Sequence, residues 1–120
     1  MATNQIPIDG LASGAKKVGF TIPLNTPAVG DYLIALAFPS DWTLNKLYVT
    51  SNDASVDVDF TLKVDGANAA GYTAVTYDDN SSVGTVTADL DIDADETLSI
   101  NITSATSPGY MVFTGIGTAR

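Results

Sequence analysis

Residues 56–64 constrain this chain more than any other stretch. Val56, Val58, Phe60, Leu62 and Val64 fill every second position, and Asp57, Asp59, Thr61 and Lys63 fill the gaps. Successive side chains of a β-strand point to opposite faces, so the pattern predicts a strand with one buried face. On a helix the same residues would be scattered around the surface. Asp65-Gly66 follows at once, a dipeptide that accepts the positive φ angles of a tight hairpin turn.

The same period recurs along the chain. Val18, Phe20 and Ile22 alternate up to Pro23. Residues 32–38 form an unbroken apolar run, which predicts a strand covered on both faces. Trp42 and Leu44 lead through a loop into residues 46–51, where Leu47 and Val49 point one way and Tyr48 and Thr50 the other. A weaker strand covers 72–77. Alternation returns through Val86, Ala88, Leu90 and Ile92, then through Leu98, Ile100 and Ile102, and a final strand covers 110–116. A helical turn fits only near residues 40–45. Eight strands at this spacing predict an all-β, two-sheet antiparallel β-sandwich, either a jelly roll or, with one strand miscounted, an immunoglobulin-like sandwich. No internal repeat suggests a propeller or a β-helix.

A length of 120 residues suits one domain. Residues 1–15 have few large side chains and read as an N-terminal arm, and residues 16–120 as the sandwich. Those first fifteen residues show neither a basic segment nor an apolar run, so no leader is expected in them. The chain holds no Cys and no His. That removes disulfides, thiolate metal sites, the commonest general base and the commonest transition-metal ligand. Five basic against fourteen acidic residues give a net charge of −9, which repels nucleic acid and anionic membranes.

Three features could carry function. Asp89, Asp91 and Asp93 fall on one face of a strand, about 7 Å from each to the next, and hard carboxylate oxygens suit calcium. The calcium loop of an EF-hand is not matched, since Ala94 and Ile100 stand where it needs Gly and Glu, and a solvated strand face explains the aspartates equally. Asp57 and Asp59 repeat the arrangement and would guard the strand if it lay at a sheet edge. Trp42, placed after Pro39-Ser40-Asp41, could stack on a sugar ring, or it could cap the core. Ile6, Pro7, Ile8 and Leu11 are the sizeable apolar side chains of the arm, and an extended segment around Pro7 could add to a sheet edge on a partner. Carboxylate pairs are plentiful, but they lie at outward positions where no apolar pocket raises a pKa, so no enzyme is expected.

Three segments carry a resemblance: the small-residue start, FTLKVDG leading into a Gly/Ala-rich hairpin, and DIDADETLSINITSATSPGYMVFTGIGTAR with its acidic turn, Pro-Gly turn and apolar last strand. Over residues 56–117 the chain resembles the small β-sandwich decoration, cement and head-fibre proteins of tailed bacteriophages. The resemblance implies a virion structural role on the capsid surface, many copies per particle, homo-oligomers with trimers favoured, and no catalytic residues. A Cys-free chain made in the host cytoplasm fits it. The competing expectations are a carbohydrate-binding sandwich acting in host adhesion and a calcium-stabilised extracellular module.

Overall fold

The computed structural model describes residues 17–35 and 40–120. Among them lie nine strands and no helix: β1 (Lys17–Asn25), β2 (Gly30–Ala35), β3 (Trp42–Ser51), β4 (Asp57–Val64), β5 (Ala67–Asn68), β6 (Val75–Tyr77), β7 (Gly84–Ile92), β8 (Leu98–Thr106) and β9 (Tyr110–Ala119). They form two antiparallel sheets. Sheet A has the order β1-β9-β3-β7, and sheet B the order β2-β8-β4-β5, with β6 also paired to β4.

The pairings decide between the two sandwich topologies. Strand β1 pairs with β9, β2 with β8, β3 with β7 and β4 with β6, a nested set that folds the chain back on itself about its middle. Ladders from β9 to β3 and from β8 to β4 then roll that ribbon into two sheets. Each connection from β1 to β4, and from β6 to β9, crosses between sheets. This is a jelly roll.

Period-two alternation builds the core. In β4 the buried Val58, Phe60 and Leu62 come from one face, as expected, and Val56 joins them from just before the strand. Leu44, Leu47 and Val49 of β3 face them with Met111 and Phe113 of β9. Phe60 of sheet B meets Phe113 of sheet A edge to face, with ring centroids 5.2 Å apart at 84°. The Asp65-Gly66 turn closes as the dipeptide predicts, with φ of 49° and 83° between the paired Val64 and Ala67.

Five local expectations need correction. The added ninth strand is the two-residue β5, the return arm of that hairpin. Leu33 of β2 is 50% exposed, so the described part of the run beginning at Tyr32 is not covered on both faces, and β2 lies at the edge of sheet B. The region near residue 42 is not a helical turn, because β3 begins at Trp42. The predicted strand at 72–77 shortens to 75–77. Before it, Leu62 N–H donates to Tyr72 C=O at 2.9 Å and Ala69 N–H to Leu62 C=O at 2.9 Å, so an irregular segment flanks β4 where a strand would run. Ala74 then takes φ of 54°, outside any strand conformation. With β8 on one side and β5 and β6 on the other, β4 is not an edge strand, and Asp57 and Asp59 do not guard one.

Candidate interaction surface

The outward positions of sheet A form one broad face. Register places Thr21 of β1 beside Thr114 of β9, Tyr48 of β3 and Thr85 of β7. One step along the strands lie Pro23, Val112 and Thr50, and one step the other way Gly19, Ile116, Lys46 and Thr87. Across these three rows Lys46 is the one charged side chain. The next row reads Lys17, Thr118, Thr43 and Asp91 from β1 to β7, positive at one edge and negative at the other. Ile116 is 43% exposed. Threonine and valine favour strands because the branched side chain packs on the pleat, and their outward placement leaves a surface of methyl and hydroxyl groups.

The corner beside Asp91 holds the predicted acidic cluster, and the structure does not bring it together as a ligand set. Asp89 accepts from Asn45 Nδ2 at 2.9 Å, and Asp91 accepts from Thr43 Oγ1 at 2.8 Å. Asp93 pairs with Arg120 Nη2 at 3.0 Å. Among the described residues no three acidic side chains group so as to hold a metal ion. Arg120 is what the aspartates face. Its guanidinium also donates to the Ile92 carbonyl at 3.1 Å, and its backbone N–H donates to the Asp41 carbonyl at 3.0 Å. The hydrogen bond to Asp93, followed by the field of Asp91 and Asp41, raises the Arg120 pKa further above its ordinary value. Asp41 in turn accepts from Ala94 N–H at 2.7 Å, so an ion-pair network ties the end of β9 to the start of β3 and the end of β7. Sequence reasoning passed over Arg120. Its only signal was a lone cation at the end of the last alternating strand of an acidic chain.

Trp42 offers no stacking platform. It is the first residue of β3, it points inward, and it is 1% exposed, which corrects the expectation of a sugar contact there. The arm residues Ile6, Pro7, Ile8 and Leu11 lie outside the described residues. Val29, Val83 and Tyr110 are exposed at the sandwich end opposite Arg120, where the loops after β1, β6 and β8 gather. No pocket opens among the described residues.

The outer face of sheet B differs. It presents Asp31, Asp57, Asp59 and Lys63, and two of its carboxylates are held by neighbours across the strands. Asn101 Nδ2 donates to Asp31 at 2.6 Å, and Thr76 Oγ1 to Asp59 at 2.6 Å.

No protein-family model matches the chain, and no curated protein matches it by sequence. Solved structures match its fold. A chain of the acidic stable capsid of Helicobacter pylori bacteriophage KHP30 superposes with a TM-score of 0.62 at 14% identity, over 88% of this chain and 89% of that one. A family 35 carbohydrate-binding module from Clostridium thermocellum gives 0.54 at 9% identity, over 85% of this chain and 98% of that one. The resemblance to a phage β-sandwich expected from the sequence is therefore present in the fold. At such identities fold is what the likeness establishes.

Proposed function

We propose that this chain is a non-catalytic structural protein of a phage particle, a head decoration or cement protein that binds the capsid surface. The observation that carries the reading is the outer face of sheet A: three rows of mostly methyl and hydroxyl groups with Lys46 as their one charge, bordered by Lys17 at one corner and Asp89 and Asp91 at the other, on a chain of net charge −9. A broad sheet face of this kind suits packing against another protein surface, whereas a small substrate needs a concave site. The fold likeness to a phage capsid chain supports the same reading.

The carbohydrate-binding alternative has the second fold likeness in its favour. It loses its expected anchor with Trp42 in the core. Co-sedimentation of the labelled protein with capsids of the source phage tests the leading reading. Saturable binding at micromolar concentration is expected. Protein that stays in the supernatant while recognising immobilised glycans overturns it.

A further inference from the structure

We propose that the outer face of sheet A seats a second copy of this chain, the two copies related by a two-fold axis that lies between the faces and runs parallel to the strands. The pairing goes beyond the capsid reading and does not depend on attachment to a particle.

The argument starts from the row Lys17–Thr118–Thr43–Asp91. Rotation about an axis parallel to the strands keeps each row at its own level and reverses its order across the sheet. Strand β1 of one copy then faces β7 of the other. Lys17 meets Asp91 of the second copy, and symmetry makes the contact twice. In the central row the same reversal sets Thr114 against Tyr48 of the second copy. An axis in the same plane but perpendicular to the strands would leave both charged corners without an opposite partner.

Charge also selects the face. Two copies at −9 repel each other, and they approach at least cost where carboxylates are few. Sheet A carries Asp89 and Asp91 at one corner, and this geometry turns that corner towards a lysine. Stacking the outer faces of sheet B would bring Asp31, Asp57 and Asp59 of each copy together against a single Lys63 from each, whereas Lys17 and Lys46 balance Asp89 and Asp91 on sheet A.

The face is large enough for a weak dimer. Four strands about 4.8 Å apart and about nine residues long make a face of about 15 by 30 Å, so two copies cover on the order of 1,000 Å² in total. That lies just under the size at which specific protein interfaces begin, about 1,000 Å², and suits a weak, reversible dimer.

Sedimentation velocity of the full chain at low salt, over a wide concentration range, tests the proposal. A reversible monomer–dimer equilibrium is expected. Lys17→Asp and Asp91→Lys should each weaken the dimer about tenfold or more by setting like charges face to face. The double variant Lys17→Asp/Asp91→Lys should regain the affinity of the parent chain, which a merely damaged fold would not do. Thr114→Arg should abolish dimers, and Asn101→Arg on sheet B should leave them intact. A chain that stays monomeric, a trimer, or a double variant no tighter than the singles overturns the proposal. Particle binding by a strictly monomeric chain would sink the dimer and leave the capsid reading standing.

Discussion

The two sheets are alike inside and unlike outside. Each presents buried aliphatic and aromatic side chains at every second position, and the two inner faces meet through Phe60 and Phe113. Outside, sheet B carries carboxylates answered by neighbouring amides and hydroxyls. Sheet A carries threonine, valine, isoleucine and tyrosine around Lys46, with Lys17 at one corner and Asp89 and Asp91 at the other. The inward residues explain why the chain is a sandwich. The outward residues distinguish a solvated face from one suited to contact, and neither the period nor the topology fixes them. Each expectation below breaks or sharpens that distinction.

The largest effect belongs to the shared interior. Phe60→Ala should cost about 3–5 kcal/mol, because it opens a cavity where the sheets meet. Asp59→Ala, one residue away on the outer face, should cost about 0.5–1 kcal/mol, the worth of the hydrogen bond it accepts from Thr76. Urea denaturation of both variants checks the pair, and equal costs would mean that inside and outside are reversed.

Close approach within sheet A gives a second, smaller effect. A Cβ on Gly117 would lie 2.1 Å from the Thr43 carbonyl oxygen of β3, and backbone held in a ladder cannot yield cheaply. A Cβ on Gly115 would lie 2.2 Å from the Phe20 ring, a half-buried side chain on an edge strand that shifts more readily than a ladder backbone. Gly117→Ala should therefore cost about 1–3 kcal/mol, as overpacking does, and Gly115→Ala less. Thermal melts of the two rank them. The reverse order would show that the edge strand β1 is the more rigid of the neighbours of β9.

Tyr72 ties the sheets together from the other side. It is buried in the segment between β5 and β6, and its hydroxyl donates to the Ala88 carbonyl of β7 at 2.6 Å. Tyr72→Phe should cost about 1–2 kcal/mol, since it leaves that carbonyl without its donor. Burial raises the Tyr72 pKa above its ordinary 10.0, with the Ala88 hydrogen bond opposing and Asp89 adding. Tyr77 is raised as well, again chiefly by burial. The unfolded chain loses these protons first. The stability they represent is complete below pH 10.0 and declines as the pH climbs from there towards the folded values. Alkaline melts of Tyr72→Phe should fall less steeply than those of the parent, and parallel curves would remove Tyr72 from the account.

The legibility of this sequence follows the same inside–outside division. Strands β1, β4, β7, β8 and β9 were readable because their inward positions are uniformly apolar over five or more residues. The apolar run from Tyr32 misled because hydrophobicity on both faces does not distinguish a central strand from an edge strand that exposes Leu33. Trp42 misled because Pro39-Ser40-Asp41 ahead of it suggested a loop, whereas the pairing of Trp42 with Ala119 and Ile92 extends β3 to include it. The jelly roll itself was one of two open choices, since strand order depends on long-range ladders with no local signature. Alternation places Asp89 and Asp91 on the outer face of β7, and Asp93 follows just past its end. The partner of Asp93, Arg120, was invisible, because the pairing joins positions 27 residues apart. The threonine-rich outer face of sheet A was missed for a related reason. Its threonines belong to four separate strands, and only the register brings them together.

The smallest expected effect concerns the loop that carries the chain from sheet B to sheet A. Asp79 accepts from the Ser81 hydroxyl at 2.6 Å, from Ser81 N–H at 2.9 Å and from the Ser82 hydroxyl at 3.4 Å. These bonds, the Ser81 hydroxyl foremost, hold its carboxyl below its ordinary 3.8. A carboxylate depressed in the folded state binds its proton more weakly there than in the unfolded chain. Its contribution is therefore complete at pH values above 3.8 and is lost as the pH falls through the lower folded value. Asp79→Asn should melt below the parent at neutral pH, and the gap should close under acid as the parent loses its charged acceptor. Ser81→Ala, which removes the principal donor, should narrow the same gap from the parent's side. Melting temperatures of the three proteins from neutral to strongly acid pH measure this. A gap that persists undiminished after the carboxyl has taken up its proton would assign the loop's order to its backbone turn, and the charged carboxylate of Asp79 would then have no part in joining the two sheets.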